Sequence, residues 1–266
     1  FNYLFFFIAP VFQISSLSLA NSRFPNDFIF NSQLYAGKGS DIIEFNQSIY
    51  TATISRDRGE DIIEAIGKVL DGSNISGGYD DDLITLFEQI RYSTVTGSEG
   101  YDTINVNLNA NSTSSKIELG SGDDLLNIQA NHHETTVKGN SGDDTFYIGN
   151  LSTFNGPLCH FYGGKDDDSF FLGEHNNVAI FGGKGDDLIT SSQDNVEGAA
   201  TIMAGDGYDI VDISGFNHAD TQYLIKGNSF ADSIIGSNGT DIIYGGKGSD
   251  TISGGSEAGA DSIRVD

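Results

Sequence analysis

Residues 242–252 read Ile-Ile-Tyr-Gly-Gly-Lys-Gly-Ser-Asp-Thr-Ile. Three glycines crowd one aspartate, Asp250, between isoleucines. A loop so poor in side chains works through its backbone: glycine reaches left-handed angles and lets other groups approach closely. The flanking Thr251-Ile252-Ser253 has the alternation of a very short strand with one buried face.

The same arrangement recurs at Asp41, Asp61, Asp82, Asp102, Asp124, Asp144, Asp168, Asp187, Asp209, Asp232, Asp241, Asp250 and Asp261. Two residues after each stands a large apolar residue, from Ile43 and Ile63 through Phe146 and Phe170 to Ile252 and Ile263. Two residues before, ten of the thirteen are glycine, and the exceptions are Asp80, Asp166 and Phe230. Seven residues before lies a second apolar column, beginning Leu34, Ile54, Ile75, Val95 and Ile117. Three columns held together through a chain that is 38% hydrophobic are not chance. Aspartate tolerates left-handed angles, which suits Asp80 and Asp166. Phenylalanine does not, so the loop at Phe230 is expected to be distorted.

From Asp41 to Asp232 the steps are 20, 21, 20, 22, 20, 24, 19, 22 and 23 residues; beyond, they are 9, 9 and 11. Two nine-residue halves make one coil of 18. The longer steps then read as coils with one degenerate half, bent by Asn109–Asn111, Asn131, Gly149-Asn150, Asn176-Asn177, Asp194-Asn195 and Phe216-Asn217. Two short strands and two turns per coil, stacked about 4.8 Å apart, form an all-β parallel solenoid of about eleven two-stranded coils. No single coil buries its apolar face, so stability comes from stacking. The one helix-like stretch, Asp80–Arg91, reads better as strand plus loop.

Net charge is -25, from 38 acidic and 13 basic residues. Such a chain repels nucleic acid and anionic membranes and attracts cations. The single cysteine, Cys159, excludes an internal disulfide and reads as a core residue. Residues 1–30 form a separate apolar segment. Leu4–Phe12 followed by Ser18-Leu19-Ala20 reads either as a truncated signal peptide or as a cap strand, and it is too short to span a membrane.

The loops resemble Gly-Gly-x-Gly-x-Asp-x-U-x, the nonapeptide of RTX, or haemolysin-type calcium-binding, proteins. The best copies are 182–189 and 245–252, and weaker ones extend over 36–263. The resemblance implies a parallel β-roll over 31–266, with several Ca²⁺ ions, up to about ten, held between Gly-Asp loops of adjacent coils. It implies as ligands Gly37, Gly39 and Asp41; Gly78 and Asp82; Gly100 and Asp102; Gly120, Gly122 and Asp124; Gly142 and Asp144. It continues through Gly164 and Asp168; Gly183, Gly185 and Asp187; Gly205, Gly207 and Asp209; Gly246, Gly248 and Asp250. Asp41 through Asp232, with Asp250, stack in one column; Gly239, Asp241 and Asp261 fall on the opposite edge. Physical chemistry asks for the ion independently. Two carboxylates about 5 Å apart repel by roughly 3 kcal/mol at an effective dielectric of 20. The competing view makes each aspartate a turn residue in a calcium-free solenoid. The loops at Asp61 and Asp232 are degenerate, and Arg56 or Arg58 could supply a fixed charge at the first.

Other chemistry is poorly served. His133-Glu134 lacks the second histidine of a zinc-protease helix, and no Gly-x-Ser-x-Gly elbow occurs. Gly37-Lys38-Gly39-Ser40 falls short of a phosphate loop, and His132, His133, His160, His175 and His218 read as surface-loop residues. The reading is therefore not an enzyme but a calcium-binding structural module of a secreted, extracellular protein, its carbohydrate or cell-surface target carried by a missing domain. The alternative is a solenoid enzyme acting on acidic polysaccharide as a lyase or epimerase. The scarcity of bases speaks against that alternative.

Overall fold

The computed structural model describes residues 22–24, 29–31, 33–35, 37–66, 69–87, 89–107, 112–129, 132–149, 159–175, 178–191, 199–216, 222–255 and 259–265. The chain is an all-β parallel solenoid, and it divides into two units, 1–136 and 137–266.

In the first unit three parallel sheets run along the stack. One takes Ser22–Phe24, Ile42–Phe45, Ile62–Ala65, Leu83–Leu86, Thr103–Asn107 and Leu125–Gln129 in that order. The second takes Gln33–Tyr35, Thr53–Ser55, Asn74–Tyr79, Thr94–Glu99 and Lys116–Ser121. The third is built from short strands: Ile29–Phe30, Ile49–Tyr50, Val69–Asp71, Gln89–Arg91, Ser112–Thr113 and His132–His133. The extra residues of the longer coils thus make a third face here, where two strands per coil were expected. Each third strand is followed by a left-handed residue, among them Thr51, Gly72, Tyr92 and Ser114. Asn109–Asn111, Asn131, Asn150, Asn176-Asn177, Asp194-Asn195 and Asn217, expected to bend the coils, lie outside the described residues, as does Leu4–Ala20. Pairing already includes Ser22–Phe24, inside the segment assigned to residues 1–30. Within Asp80–Arg91 the structure has a strand, Leu83–Leu86, as expected, and a second strand, Gln89–Arg91, where a loop was expected.

The second unit carries one sheet of Thr145–Gly149, Ser169–Leu172, Leu188–Ser191, Ile210–Asp212, Ser233–Ile235 and Thr251–Ser253. Its other sheet holds Cys159–Lys165, Val178–Lys184, Ala200–Asp206, Leu224–Ser229, Ile242–Lys247 and Ser262–Arg264.

The apolar columns are the core. Ile63, Ile84, Ile104 and Leu126 stand in register and fully buried, as do Ile75, Val95 and Ile117 on the second sheet. In the second unit Phe146 stacks on Phe170 with centroids 4.4 Å apart, followed in register by Ile189, Val211 and Ile234. Burying each such side chain is worth about 1.5–3 kcal/mol. The columns weaken at their end: Ile252 is half-buried and Ile263, on the last strand of its sheet, is 44% exposed. A terminal strand has a neighbour on one side only. Cys159 is buried and free of disulfide, as a core residue should be.

Candidate metal site

The loops before Asp82, Asp102, Asp124, Asp144, Asp168, Asp187, Asp209, Asp232 and Asp250 owe their shape to two left-handed residues, four and two positions upstream. The pairs include Gly78 and Asp80, Gly120 and Gly122, Gly164 and Asp166, Gly183 and Gly185, and Gly246 and Gly248. Asp80 and Asp166, the expected glycine substitutes, both stand at φ +73°. Phe230 stands at φ +77° after Asn228 at +82°, so the distortion expected there is not found. Asn228 is held in register between Gly205 and Gly246, and the neighbouring coils impose the bend. The Phe230 side chain is half-exposed and lies against Tyr208, with ring centroids 5.7 Å apart.

The repeat aspartates from Asp41 to Asp241 point into the stack and are buried; Asp250 and Asp261, at the end, are half-buried. In the first unit the Asp41 N–H donates to Asp61 Oδ1 at 2.7 Å, Asp61 to Asp82 and Asp82 to Asp102 at 2.9 Å, and Asp102 to Asp124 at 2.7 Å. In the second, Asp144 donates to Asp168, Asp168 to Asp187 and Asp187 to Asp209 at 2.9 Å. Asp209 follows to Asp232 and Asp232 to Asp250, at 3.0 Å. On the other edge Asp241 donates to Asp261 Oδ1 at 2.9 Å. The main column read from spacing is thus present within each unit, and the Asp241–Asp261 edge within the second.

Only one carboxylate oxygen is used by this ladder. Oδ2 of Asp82, Asp102, Asp168, Asp187, Asp209 and Asp232 is buried with no hydrogen-bond partner. In all of these but Asp209, it lies over the glycine five positions upstream: Gly77, Gly97, Gly163, Gly182 and Gly227. A Cβ on Gly182 would collide with both Asp187 Oδ2 and the Ala204 carbonyl of the next coil. At Gly163 the pair is Asp168 Oδ2 and Gly182 O; at Gly227 it is Asp232 Oδ2 and Gly245 O. A carboxylate oxygen and a backbone carbonyl therefore converge on one space with no donor group of the chain between them. Buried acceptors without donors cost about 1–3 kcal/mol each.

Burial pushes these carboxyls up: Asp168 to about 9, Asp82, Asp187 and Asp209 to about 7, Asp102 and Asp232 to about 6. The ladder N–H bonds oppose the shift, and neighbouring carboxylates add to it for most of the column. The metal-free column is unfavourable as an anion. Among the described residues no three His, Cys, Asp or Glu side chains converge on a point. A cation held here must draw on backbone carbonyls as well as carboxylates. That donor set is all hard oxygen, which fits Ca²⁺ rather than a soft transition metal.

Other sequence-chosen residues depart from this plan. Before Asp41, Gly39 is left-handed but Gly37 is not; before Asp61, only Gly59 is. Asp241 already has donors: Ser237 N–H at 2.7 Å, Ser237 Oγ at 3.0 Å and Tyr223 N–H at 3.2 Å. Gly239 beside it has no left-handed angle and donates to Ser237 Oγ. His175 is not a surface residue. It is fully buried against Phe216 and Tyr223, with Nδ1 2.7 Å from the Gly173 carbonyl, and burial lowers its pKa to about 4. The sequence reading missed the glycine that stands five positions before most of the aspartates. Its signal was the first member of doublets such as Gly182-Gly183, where one left-handed residue would have needed only one glycine.

The fold and loops define a parallel β-solenoid with an aspartate column built to hold a hard cation. Residues 177–195 and 226–263 match the RTX calcium-binding nonapeptide repeat, in four copies. These two segments are RTX-type calcium-binding repeats. No curated protein matches it. One solved structure with which it is similar is a hyperactive, Ca²⁺-dependent, β-helical antifreeze protein from an Antarctic bacterium. That alignment has 15% identity, covers 93% of this chain and 86% of the other, and has a TM-score of 0.45.

Proposed function

We propose that this chain is a structural module of a secreted protein in which Ca²⁺, bound between Gly-Asp loops of adjacent coils, drives folding of the solenoid. The observation that carries the reading is the convergence of a buried, partnerless Asp Oδ2 on a backbone carbonyl of the next coil. Repeated from coil to coil, this opposes stacking until a cation arrives. Loops with both left-handed residues flank two intervals in the first unit, Asp82–Asp102 and Asp102–Asp124. They flank five in the second, from Asp144–Asp168 to Asp232–Asp250. Each interval is assigned one ion. Gly78, Gly120, Gly164, Gly183, Gly205 and Gly246 contribute through their carbonyls rather than their missing side chains.

Two carboxylates and neutral carbonyls bind weakly, in the micromolar to millimolar range. Such sites stay empty at cytosolic calcium and fill outside the cell, which supports an exported protein. The net charge of -25 has the same consequence, since divalent ions lower the self-repulsion of the compact state. Among the described residues no helix is long and apolar enough to cross a membrane.

Calorimetric titration of the full chain with calcium, alongside far-ultraviolet circular dichroism, tests the reading. Binding of several ions with a coupled gain of strand signal is expected. Equal strand signal in excess chelator and in saturating calcium would exclude folding by the metal.

A further inference from the structure

One loop of the column contains its own cation. Arg56 stands five residues before Asp61, at the position filled by glycine in the loops of Asp82, Asp102, Asp168 and Asp187. Its side chain is wholly buried. Nη1 lies 2.9 Å from Asp61 Oδ1 and donates to the Asp41 carbonyl at 2.8 Å; Nη2 donates to the Ile62 carbonyl at 3.0 Å. These partners, a repeat carboxylate and backbone carbonyls of adjacent coils, are of the same kind as those that meet over glycine elsewhere. Burial lowers the Arg56 pKa, while Asp61, Asp41 and Asp82 raise it, and a guanidinium keeps its proton in proteins. The loop also lacks the upstream left-handed residue, with Asp57 where the loops of Asp82, Asp124, Asp168 and Asp187 have a left-handed glycine.

We infer that Arg56 is a built-in counter-ion that takes the place of calcium in the Asp41–Asp61 interval, so that this interval binds no metal. The inference rests on the calcium reading above and deepens it. A planar fork of donors matches a carboxylate and two carbonyls without the desolvation of a divalent ion. Metal and guanidinium cannot share the space, since both need Asp61 and the carbonyls around it. The Asp41–Asp61 end of the column is thereby neutralised at any calcium concentration.

The double variant R56G/D57G restores the Gly-Gly-x-Gly-x-Asp pattern to this loop; R56M removes the charge but keeps the bulk. Bound calcium is counted by equilibrium dialysis of the full chain, and stability is read from denaturant midpoints in saturating calcium. R56G/D57G is expected to fold in calcium and to bind one ion more than the wild type. R56M is expected to bind the wild-type number with a lowered midpoint. The inference is overturned by a double variant that binds the wild-type number, by one that stays unfolded in saturating calcium, or by R56M with an unchanged midpoint. Absence of calcium binding in the wild type and both variants would instead sink the calcium reading. The R56M midpoint would then still decide whether Arg56 neutralises the two aspartates.

Discussion

The two oxygens of Asp187 do different work. Oδ1 accepts the Asp168 N–H at 2.9 Å, the ladder bond that recurs along the column. Oδ2 faces the Ala204 carbonyl with nothing to receive. Asp187→Asn keeps the first and turns the second into a donor aimed at that carbonyl. The variant is expected to raise the denaturation midpoint in chelator and to lower it in saturating calcium, a reversal that denaturant titrations in the two buffers would reveal. Phe230 offers a second test. A non-glycine residue in the left-handed region costs about 1–2 kcal/mol, part of which glycine's greater unfolded freedom offsets. Phe230→Gly is expected to stabilise the calcium form by about 1 kcal/mol, measured by equilibrium unfolding. At this scale the aspartates and left-handed glycines were legible, because each loop repeats them in the same order. The geometry at Phe230 was not, because neighbouring coils and not its own sequence set the bend.

At the scale of the element, the third sheet of the first unit has its own ladder. The Ala52 N–H donates to Ser73 Oγ at 3.1 Å, Ser73 N–H to Ser93 Oγ at 3.0 Å and Ser93 N–H to Ser115 Oγ at 3.4 Å. The hydroxyls in turn donate to Asp71, Arg91 and Thr113 carbonyls. Ser73, Ser93 and Ser115 are buried at the corner where the third strand turns into the next coil. Ser93→Ala leaves the Ser73 N–H without an acceptor in a dry place. It is expected to cost about 1–3 kcal/mol, with little change in the number of calcium ions bound, by denaturation and dialysis respectively. No local pattern announces this ladder. Serines 20 and 22 residues apart between ordinary turn formers become partners only when coils stack. The third strands were equally hidden, since two or three residues carry too little periodicity to be read.

At the scale of the molecule, metal-free stability is governed by carboxyls whose folded pKa lies above the unfolded value near 3.9. The folded state then binds more protons than the unfolded one, so its stability falls as pH rises. The loss runs from about pH 4 through the folded values, about 6 for Asp102 and Asp232, about 7 for Asp82, Asp187 and Asp209 and about 9 for Asp168. In chelator the chain is expected to hold more strand at pH 5 than at pH 9, read by circular dichroism. In calcium the order reverses, because the ion needs the deprotonated carboxylate and releases protons as it binds. Calcium affinity measured between pH 5 and 9 should therefore rise with pH.

By itself the sequence determined the repeat, the parallel stack, the two apolar columns and the aspartate column, because each rests on residue types recurring at a coil's length. It also determined the class of ion, since glycine loops and carboxylates offer only hard oxygen. The tertiary structure decided what depends on contacts between coils. It filled the Asp241 carboxylate with Ser237 donors and buried His175 beside Tyr223. It set Arg56 between two aspartates and left the Oδ2 of Asp82, Asp168 and Asp187 without a proton to accept. A side chain's partners in a solenoid lie about a coil's length away along the chain, and only stacking brings them within reach.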